Sequence, residues 1–261
     1  MRTVSVISLA GGQGKTTLSH QLALFLARRG ANVLLVDADP QATLSLFLLQ
    51  EPLSNTAPTL LEVLQGKVLC RDAIYPTRHA RLFLMPADRG LRQAEKVLID
   101  SGMGALVLGM RLEELQGVFD VVIVDAPPQL SQIVRTATGA ATELLVPVEV
   151  ATKGTKSLDD TLNFIAELRN FRAFHGRVLA AVPFRARWVG NSPTRVCQTN
   201  LDAIRAICDE AGIVCSMPIL ESTRYPAALD ADALVAGSYK LGQQELLLEE
   251  PFAQIADLIQ L

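Results

Sequence analysis

Cysteine, histidine and aromatic residues are scarce in this 261-residue chain. It contains four cysteines, three histidines and one tryptophan, and aromatic side chains make up 5% of it. The cysteines show no CxxC spacing, and they are Cys70, Cys197, Cys208 and Cys215. A zinc, iron–sulfur or disulfide framework is therefore not expected, and four separate thiols fit a reducing cytoplasm.

The sequence also lacks any apolar run close to the roughly 18 to 20 residues of a membrane-spanning helix. Its first residues lead directly into a strand pattern, so no signal peptide is expected. The net charge of −3 gives no overall attraction to nucleic acid, and such binding would depend on a local patch. A hydrophobic content of 49% with 20% charged residues is typical of a globular α/β protein.

A glycine-rich segment, AGGQGKTT at residues 10–17, follows a β-branched run and precedes an apolar helical pattern. A strand, a glycine-rich turn and a helix N-terminus in this order form a phosphate-binding loop. The general pattern GxxxxGK[ST] has glycine where this chain has Leu9, but the variant xGGxGKTT fits at every other position. In such a loop Lys15 can reach the β- and γ-phosphates, and the Thr16 hydroxyl can ligate Mg²⁺. The predicted nucleotide-binding residues here are Gly11, Gly12, Gln13, Gly14, Lys15, Thr16 and Thr17.

Two further hydrophobic runs end in aspartate. The run VLLV leads into Asp37 and Asp39, and the run VVIV leads into Asp125, which is followed by two prolines after Ala126. Ligands of open α/β sheets bind at the carboxyl ends of the strands, beside the strand that feeds the phosphate loop. An aspartate at a strand end suits a Mg²⁺ or water-orienting role, so these carboxylates are expected to lie at the same site.

Strand and helix patterns alternate along the rest of the chain without a linker or repeat. Strands are predicted at residues 144–150, 178–184 and 217–220, and Ser192 is predicted to cap a helix that has Pro193 in its first position. Residues 1–261 are expected to form one doubly wound, mostly parallel sheet of about seven strands with helices on both faces. The adenine is expected near residues 184–187 and 217–220, with Phe184 and Pro218 as the contact residues.

Three motifs in this order, GGQGKTT, DADPQ and VVIVDAPP, resemble the deviant Walker-box ATPases of the ParA/MinD type, which are P-loop NTPases. The resemblance runs over nearly the full length. It implies that Lys15 and Thr16 hold the ATP phosphates and Mg²⁺, and that Thr17 holds the α-phosphate. It further implies that Asp39 lies at the metal and orients the attacking water, with Asp37 in the same switch region. Asp125 would support the Mg²⁺ shell.

The same resemblance implies partners. Members of the family dimerise around two ATP molecules, and the ATP-bound dimer binds either DNA, without sequence preference, or membrane. A partner protein then stimulates hydrolysis. These implications predict a slow cytoplasmic ATPase that acts on nucleoid DNA with an adaptor and a cargo, which could be a carboxysome, a plasmid or a chromosome.

Ala10 departs from the family pattern, since the family usually has a lysine there that reaches the phosphates of the other subunit. The charge that develops on a transferring phosphoryl group needs a cation nearby. Lys153 is the preferred substitute, and Lys156 is the second candidate. The missing lysine resembles the McdA-like branch that positions carboxysomes on the nucleoid, although a plasmid-partition protein could have lost it as well.

Other functions are less well supported by the residues. A GTPase would carry an NKxD-type motif, which TKSLD misses by one residue, so ATP is favoured. Membrane binding is not expected, because the tail from residue 241 onward has no lysine or arginine and carries Glu245, Glu249, Glu250 and Asp257. Two alternatives stay open, namely an ATP-dependent metabolic ligase on the same scaffold and a nucleotide-gated scaffold with negligible hydrolysis.

DNA contact is predicted for a set of basic residues in the last third of the chain. Acidic residues lie between them in sequence, so the prediction depends mainly on the resemblance. The set comprises Arg185, Arg187, Arg195, Arg205, Arg224 and Lys240.

Overall fold

A computed structural model of the chain describes residues 1–189, 192–241 and 244–260, without the side chains of residues 238–246. The side chain of Lys240, one of the predicted DNA contacts, therefore lies outside the described residues. The strands are β1 (Arg2–Val6), β2 (Val33–Asp37), β3 (Tyr75–Pro76), β4 (Leu82–Met85), β5 (Val121–Asp125), β6 (Glu143–Glu149), β7 (Arg177–Ala186), β8 (Trp188–Val189), β9 (Ser192–Pro193), β10 (Ile219–Leu220), β11 (Ser238–Leu241) and β12 (Gln244–Leu247).

Helices fill most of the connections between the strands. The α-helices are α1 (Lys15–Arg28), α2 (Thr43–Leu48), α3 (Leu60–Leu64), α4 (Ala94–Asp100), α5 (Val107–Leu112), α6 (Gln132–Gly139), α7 (Thr152–Asn170), α8 (Arg195–Ala211), α9 (Arg224–Asp230) and α10 (Glu250–Ile259). Short 3₁₀ turns occur at Cys70–Ala73, Arg89–Gln93 and Glu113–Leu115.

Eight strands form the central sheet in the order β10-β7-β6-β1-β5-β2-β4-β3. Every neighbouring pair is parallel except β3 and β4, so the antiparallel strand lies at one edge. The chain places β2 and β4 on one side of β1, and β6, β7 and β10 on the other. This arrangement confirms the predicted doubly wound α/β fold.

The central strands are apolar on both faces because helices cover both sides of the sheet. In β5, Val121 and Ile123 pack into one apolar layer, while Val122 and Val124 pack into the other. A strand that is buried on both faces reads as a continuous hydrophobic run, as β5 does, instead of an alternating one. The site-bearing ends of β1, β2 and β5 are therefore fixed by packing from both sides.

The helix predicted to start at Pro193, with Ser192 as its N-cap, starts two residues later at Arg195, and this prediction was wrong. Thr194 is the N-cap of α8, with its hydroxyl accepting a hydrogen bond from the Cys197 N–H. Ser192 and Pro193 instead pair with Val189 and Trp188 in a two-stranded antiparallel ribbon. Thr194, two residues after Ser192, offers the same kind of capping hydroxyl, so composition alone could not choose between them.

The last helix, α10, buries its apolar face inside the protein. Phe252, Ile255 and Ile259 are fully buried and pack in the same apolar layer as Leu18 and Leu22 of α1. None of the helices described here is both long and apolar enough to cross a bilayer. The apolar face of α10 is thus occupied by the core.

Phe252→Ala is expected to destabilise the protein by about 3–5 kcal/mol, because it opens a cavity beside Tyr225, whose ring lies edge-on at 6.2 Å. Denaturant unfolding followed by circular dichroism measures the change. Phe171→Ala is the matched control, since that ring is 74% exposed and its loss is expected to stay within about 0.5 kcal/mol. Equal losses in both variants would contradict the assignment of α10 to the core.

Candidate nucleotide-binding site

The glycine-rich loop between β1 and α1 depends on left-handed backbone conformations. Gly12 and Gly14 have φ angles of 76° and 97°, and Gly14 is the N-cap of α1. A Cβ at Gly14 would also lie 2.5 Å from the ring of Phe184. Glycine is therefore required at this position both by conformation and by the close approach of Phe184.

This loop lines an open cavity of about 240 Å³. Most of the predicted nucleotide-binding residues meet there, together with Arg185, which lies in the segment expected near the adenine, and Pro128, which sequence reasoning did not assign to the nucleotide. The lining consists of Gly11, Gly12, Gln13, Gly14, Lys15, Thr16, Thr17, Asp39, Pro128, Phe184 and Arg185.

Lys15 is held in place by the loop itself. Its ammonium donates hydrogen bonds to the carbonyl oxygens of Ser8, at 3.2 Å, and of Ala10, at 3.1 Å. Burial lowers the pKa of Lys15, and the Asp125 and Asp39 carboxylates oppose that shift. The lysine is thus a largely buried cation that lines the cavity and is bonded to the loop.

Asp125 connects the end of β5 to the first turn of α1. Its two oxygens accept hydrogen bonds from the Thr16 hydroxyl, at 2.8 Å, and from the Ser19 hydroxyl, at 2.9 Å. Burial and the neighbouring Asp37 raise the pKa of Asp125 to about 7, while those two hydrogen bonds and Lys15 oppose the rise. Ser19 was missed by sequence reasoning, although it lies one helical turn after Thr16 and so on the same face of α1.

Asp37 lies behind the cavity and does not line it. Ser45 donates to Asp37 Oδ2 through its backbone N–H, at 2.9 Å, and through its hydroxyl, at 2.8 Å. Burial raises the pKa of Asp37 to about 6, against those hydrogen bonds. The Asp39 N–H donates to the other oxygen at 3.2 Å, so Asp37 supports the turn that presents Asp39 to the cavity.

The donor set around the cavity suits Mg²⁺. Thr16 supplies a hydroxyl oxygen, and Asp39 and Asp125 supply carboxylate oxygens, which are the hard ligands that this cation prefers. The Thr16 hydroxyl donates a hydrogen bond to Asp125. The lone pairs of the Thr16 oxygen are therefore left for a metal. The predicted metal residues thus fit the ion, with Asp125 behind Thr16.

Pro218, Lys153 and Lys156 do not line this cavity. Pro218 immediately precedes β10, where Ile219 pairs with Phe184. Lys153 lies in the first turn of α7, with a side chain that is 66% exposed and an ion pair to Glu149 at 2.7 Å. Lys156 is exposed one turn further along α7.

The predicted DNA contacts differ in their surroundings. Arg187 forms a bidentate ion pair with Glu221, at 2.7 and 3.2 Å, and Arg205 pairs with Asp202 at 3.2 Å. Arg195 is exposed and has no ion-pair partner within the described residues. The set therefore contains both neutralised and unpaired cations.

Gly14→Ala is expected to weaken binding of Mg²⁺–ATP at least about tenfold, because the new methyl group meets both the left-handed φ and the Phe184 ring. Gly30→Ala is the matched control, since Gly30 has a φ of 99° with open space around it and lies after the other end of α1. Titration calorimetry measures both affinities. An unchanged affinity in Gly14→Ala would contradict the assignment of this loop.

The chain matches known proteins over nearly its whole length. A family model described as an AAA domain covers residues 1–173. The maintenance of carboxysome distribution protein A of Synechococcus elongatus is 43% identical, with 98% of each chain covered.

Two solved structures illustrate how widely this fold is shared. A Cyanothece McdA variant in complex with ATP superposes with a TM-score of 0.92 at 38% identity, covering 100% of this chain and 97% of that one. The cobyrinic acid a,c-diamide synthase of Mycobacterium smegmatis, solved with an ATP analogue and magnesium, has a TM-score of 0.74 at 29% identity and covers 85% and 86%. The chain belongs to the AAA-domain family and is a ParA/MinD-type ATPase.

Proposed function

We propose that this ATPase positions carboxysomes on nucleoid DNA, in the cytoplasm, together with an adaptor protein that stimulates hydrolysis. One observation carries the proposal: the chain is 43% identical to a carboxysome distribution protein along 98% of both lengths. Ala10, where the ParA/MinD-type pattern has a lysine, is consistent with it. ATP and Mg²⁺ are its cofactors, and residues 1–261 act as a single domain.

The residues around the cavity have different roles in ATP binding and hydrolysis. Lys15 and the loop N–H groups bind the phosphates, with Thr17 at the α-phosphate, and Phe184 and Pro218 border the adenine.

Asp39 orients the water whose oxygen attacks the γ-phosphorus, so that the bond to the ADP oxygen breaks and phosphate leaves. Bound Mg²⁺ neutralises phosphate charge, and Thr16 with Asp39 and Asp125 would hold it.

A second subunit completes the site in this proposal. The cavity of about 240 Å³ is open and smaller than the pockets that enclose whole ligands, which supports a homodimer that sandwiches ATP. Ala10 cannot supply a cation, whereas Lys153 is exposed beside the loop and can reach outward. Lys153 is therefore assigned as the cation given to the partner's phosphates.

Lys153→Ala is expected to lower kcat by about 100-fold or more, because the developing phosphoryl charge loses its external cation. Lys156→Ala removes an exposed lysine from the same helix, α7, three residues further along. This variant is expected to retain near wild-type turnover. Steady-state phosphate release at saturating ATP measures both. Lys15→Ala serves as the reference for a site that no longer binds the phosphates. If Lys15→Ala loses turnover while Lys153→Ala keeps it, the role of Lys153 is contradicted.

The unpaired Arg195 on α8 supports a DNA-binding surface near the β7 end of the sheet. Binding is expected to require ATP and to fall steeply with salt, because each phosphate contact releases counterions. Arg195→Ala is expected to weaken binding and to reduce the magnitude of the salt slope by about 1.

Fluorescence anisotropy on DNA of arbitrary sequence, with ATP, with ADP and without nucleotide, measures this binding at several salt concentrations. Lys67→Ala is the matched control, since Lys67 is an exposed cation after α3, near the opposite edge of the sheet. A DNA affinity that is independent of both nucleotide and salt concentration would contradict the proposal.

An ATP-dependent ligase is the second candidate, favoured by the similarity to the Mycobacterium smegmatis synthase. A second cavity of about 550 Å³ adjoins Asp39, and Arg92 and Glu95 line it. The two Glu95 oxygens, however, accept hydrogen bonds from the first N–H groups of α6, at 2.9 and 3.3 Å. Because this carboxylate is already used as a helix cap, the positioning ATPase is the better-supported function.

A further inference from the structure

The second cavity, of about 550 Å³, borders the nucleotide cavity of about 240 Å³. Asp39 and Pro128 line both of them, so these two residues lie where the cavities meet. In the proposed function Asp39 orients the water that attacks the γ-phosphorus. The second cavity is therefore next to the point at which phosphate is released.

Arg92 supplies a cation to the second cavity. It lies in the 3₁₀ turn Arg89–Gln93, immediately before α4, and its side chain is exposed. Among the described residues that line this cavity it is the only lysine or arginine. Its guanidinium has no hydrogen bond or ion pair within the part of the chain that the structure describes. The positive charge of Arg92 is thus available to a ligand.

Glu95 explains why Arg92 has no partner. It follows Arg92 by three residues, a spacing at which opposite charges in a helical segment commonly pair. Its two oxygens instead accept hydrogen bonds from the N–H groups of Gln132, at 2.9 Å, and Ile133, at 3.3 Å. These are the first N–H groups of α6, where the helix dipole favours a negative charge. Glu95 therefore neutralises the start of α6 and not Arg92.

The remaining polar groups of the second cavity suit an anion. Asp39, the other carboxylate in the lining, is assigned to Mg²⁺ in the proposed function. Gln41, Gln129 and Ser131 also line the cavity, and their amide or hydroxyl groups can donate hydrogen bonds. A guanidinium with further donors around it matches an oxyanion, and arginine binds phosphate oxygens through paired N–H groups.

We propose that the second cavity binds inorganic phosphate, and that Arg92 contacts the phosphate after it leaves the γ-position. This inference rests on the proposed function, in which Asp39 orients the attacking water. Hydrolysis of ATP by that water yields ADP in the loop and phosphate beside Asp39. The second cavity then receives the phosphate, while ADP stays in the nucleotide cavity.

Phosphate binding is measured with the γ-position already filled. With Mg²⁺ and a saturating non-hydrolysable ATP analogue, inorganic phosphate has to bind outside the γ-position. Equilibrium dialysis with radiolabelled phosphate is expected to show an affinity at least about tenfold weaker in Arg92→Gln than in the wild type, because the charge-assisted hydrogen bonds are lost. Arg92→Lys keeps the charge without the paired N–H groups and is expected to be intermediate.

Lys96→Gln is the matched control. Lys96 is an exposed cation four residues after Arg92, in α4, and it does not line the second cavity. Lys96→Gln is expected to bind phosphate as the wild type does, and equal losses in both variants would reduce the effect to net charge and overturn the site. Thermal unfolding verifies that each variant is folded.

Two further measurements define the site. Affinity for the ATP analogue is expected to be unchanged in Arg92→Gln, because Arg92 does not line the nucleotide cavity. Acetate at matched ionic strength tests whether the cavity prefers phosphate to a carboxylate. Acetate that displaces phosphate at equal concentration would overturn the assignment of phosphate as the ligand.

The outcomes separate this inference from the proposed function. If the wild type hydrolyses ATP but binds no phosphate, or if Arg92→Gln binds phosphate equally well, the phosphate site is overturned and the proposed function stands. If the wild type does not hydrolyse ATP, the proposed function falls, and with it the origin of the phosphate. The dialysis still decides whether the cavity binds phosphate, because that measurement needs no turnover.

Discussion

The site depends on one constraint: β1, β2 and β5 end in register at the same edge of a buried sheet. Val6 pairs with Asp125, and Asp125 pairs with Asp37, so two carboxyls are forced side by side in the interior. Both are essentially inaccessible to water, and burial raises the pKa of Asp37 to about 6 and of Asp125 to about 7. Charges placed this way need hydroxyl donors and a cation, and the neighbouring elements supply them.

Each donor to these carboxyls also fixes an element that borders the cavity. Thr16 and Ser19 tie the start of α1 to Asp125, and Ser45 ties α2 to Asp37. The same Ser45 hydroxyl accepts a hydrogen bond of 2.9 Å from the Ala87 N–H, which extends the network to the segment after β4. Polar pairing therefore connects the strand ends to the loop and to the turn around Asp39.

Sequence reasoning reached the fold and most of the cavity because those features are local. A hydrophobic run followed by GGQGKTT defines a strand, a loop and a helix start within a few residues, and the φ angles of Gly12 and Gly14 follow from that loop. What it missed depends on distant contacts. Pro128 borders the cavity because the segment after β5 packs against the glycine-rich loop, where the Pro128 Cβ would lie 4.0 Å from a Cβ on Gly11.

Cations lie around the cavity even though the chain has no lysine at position 10. An ATPase of this kind therefore need not lack a cation to offset the negative charge on the transferring phosphoryl group. Lys15 is buried and bound to its own loop carbonyls, so its ammonium stays within its own subunit. Lys153 and Arg185 both face Glu149, and Arg185 also lines the cavity together with the loop. A rim cation with an exposed side chain can turn outward at little cost, whereas a cation built into the loop cannot leave it. In the proposed function, the charge that the loop lacks at position 10 is supplied from the start of α7, by a lysine whose side chain is exposed instead of being built into the loop.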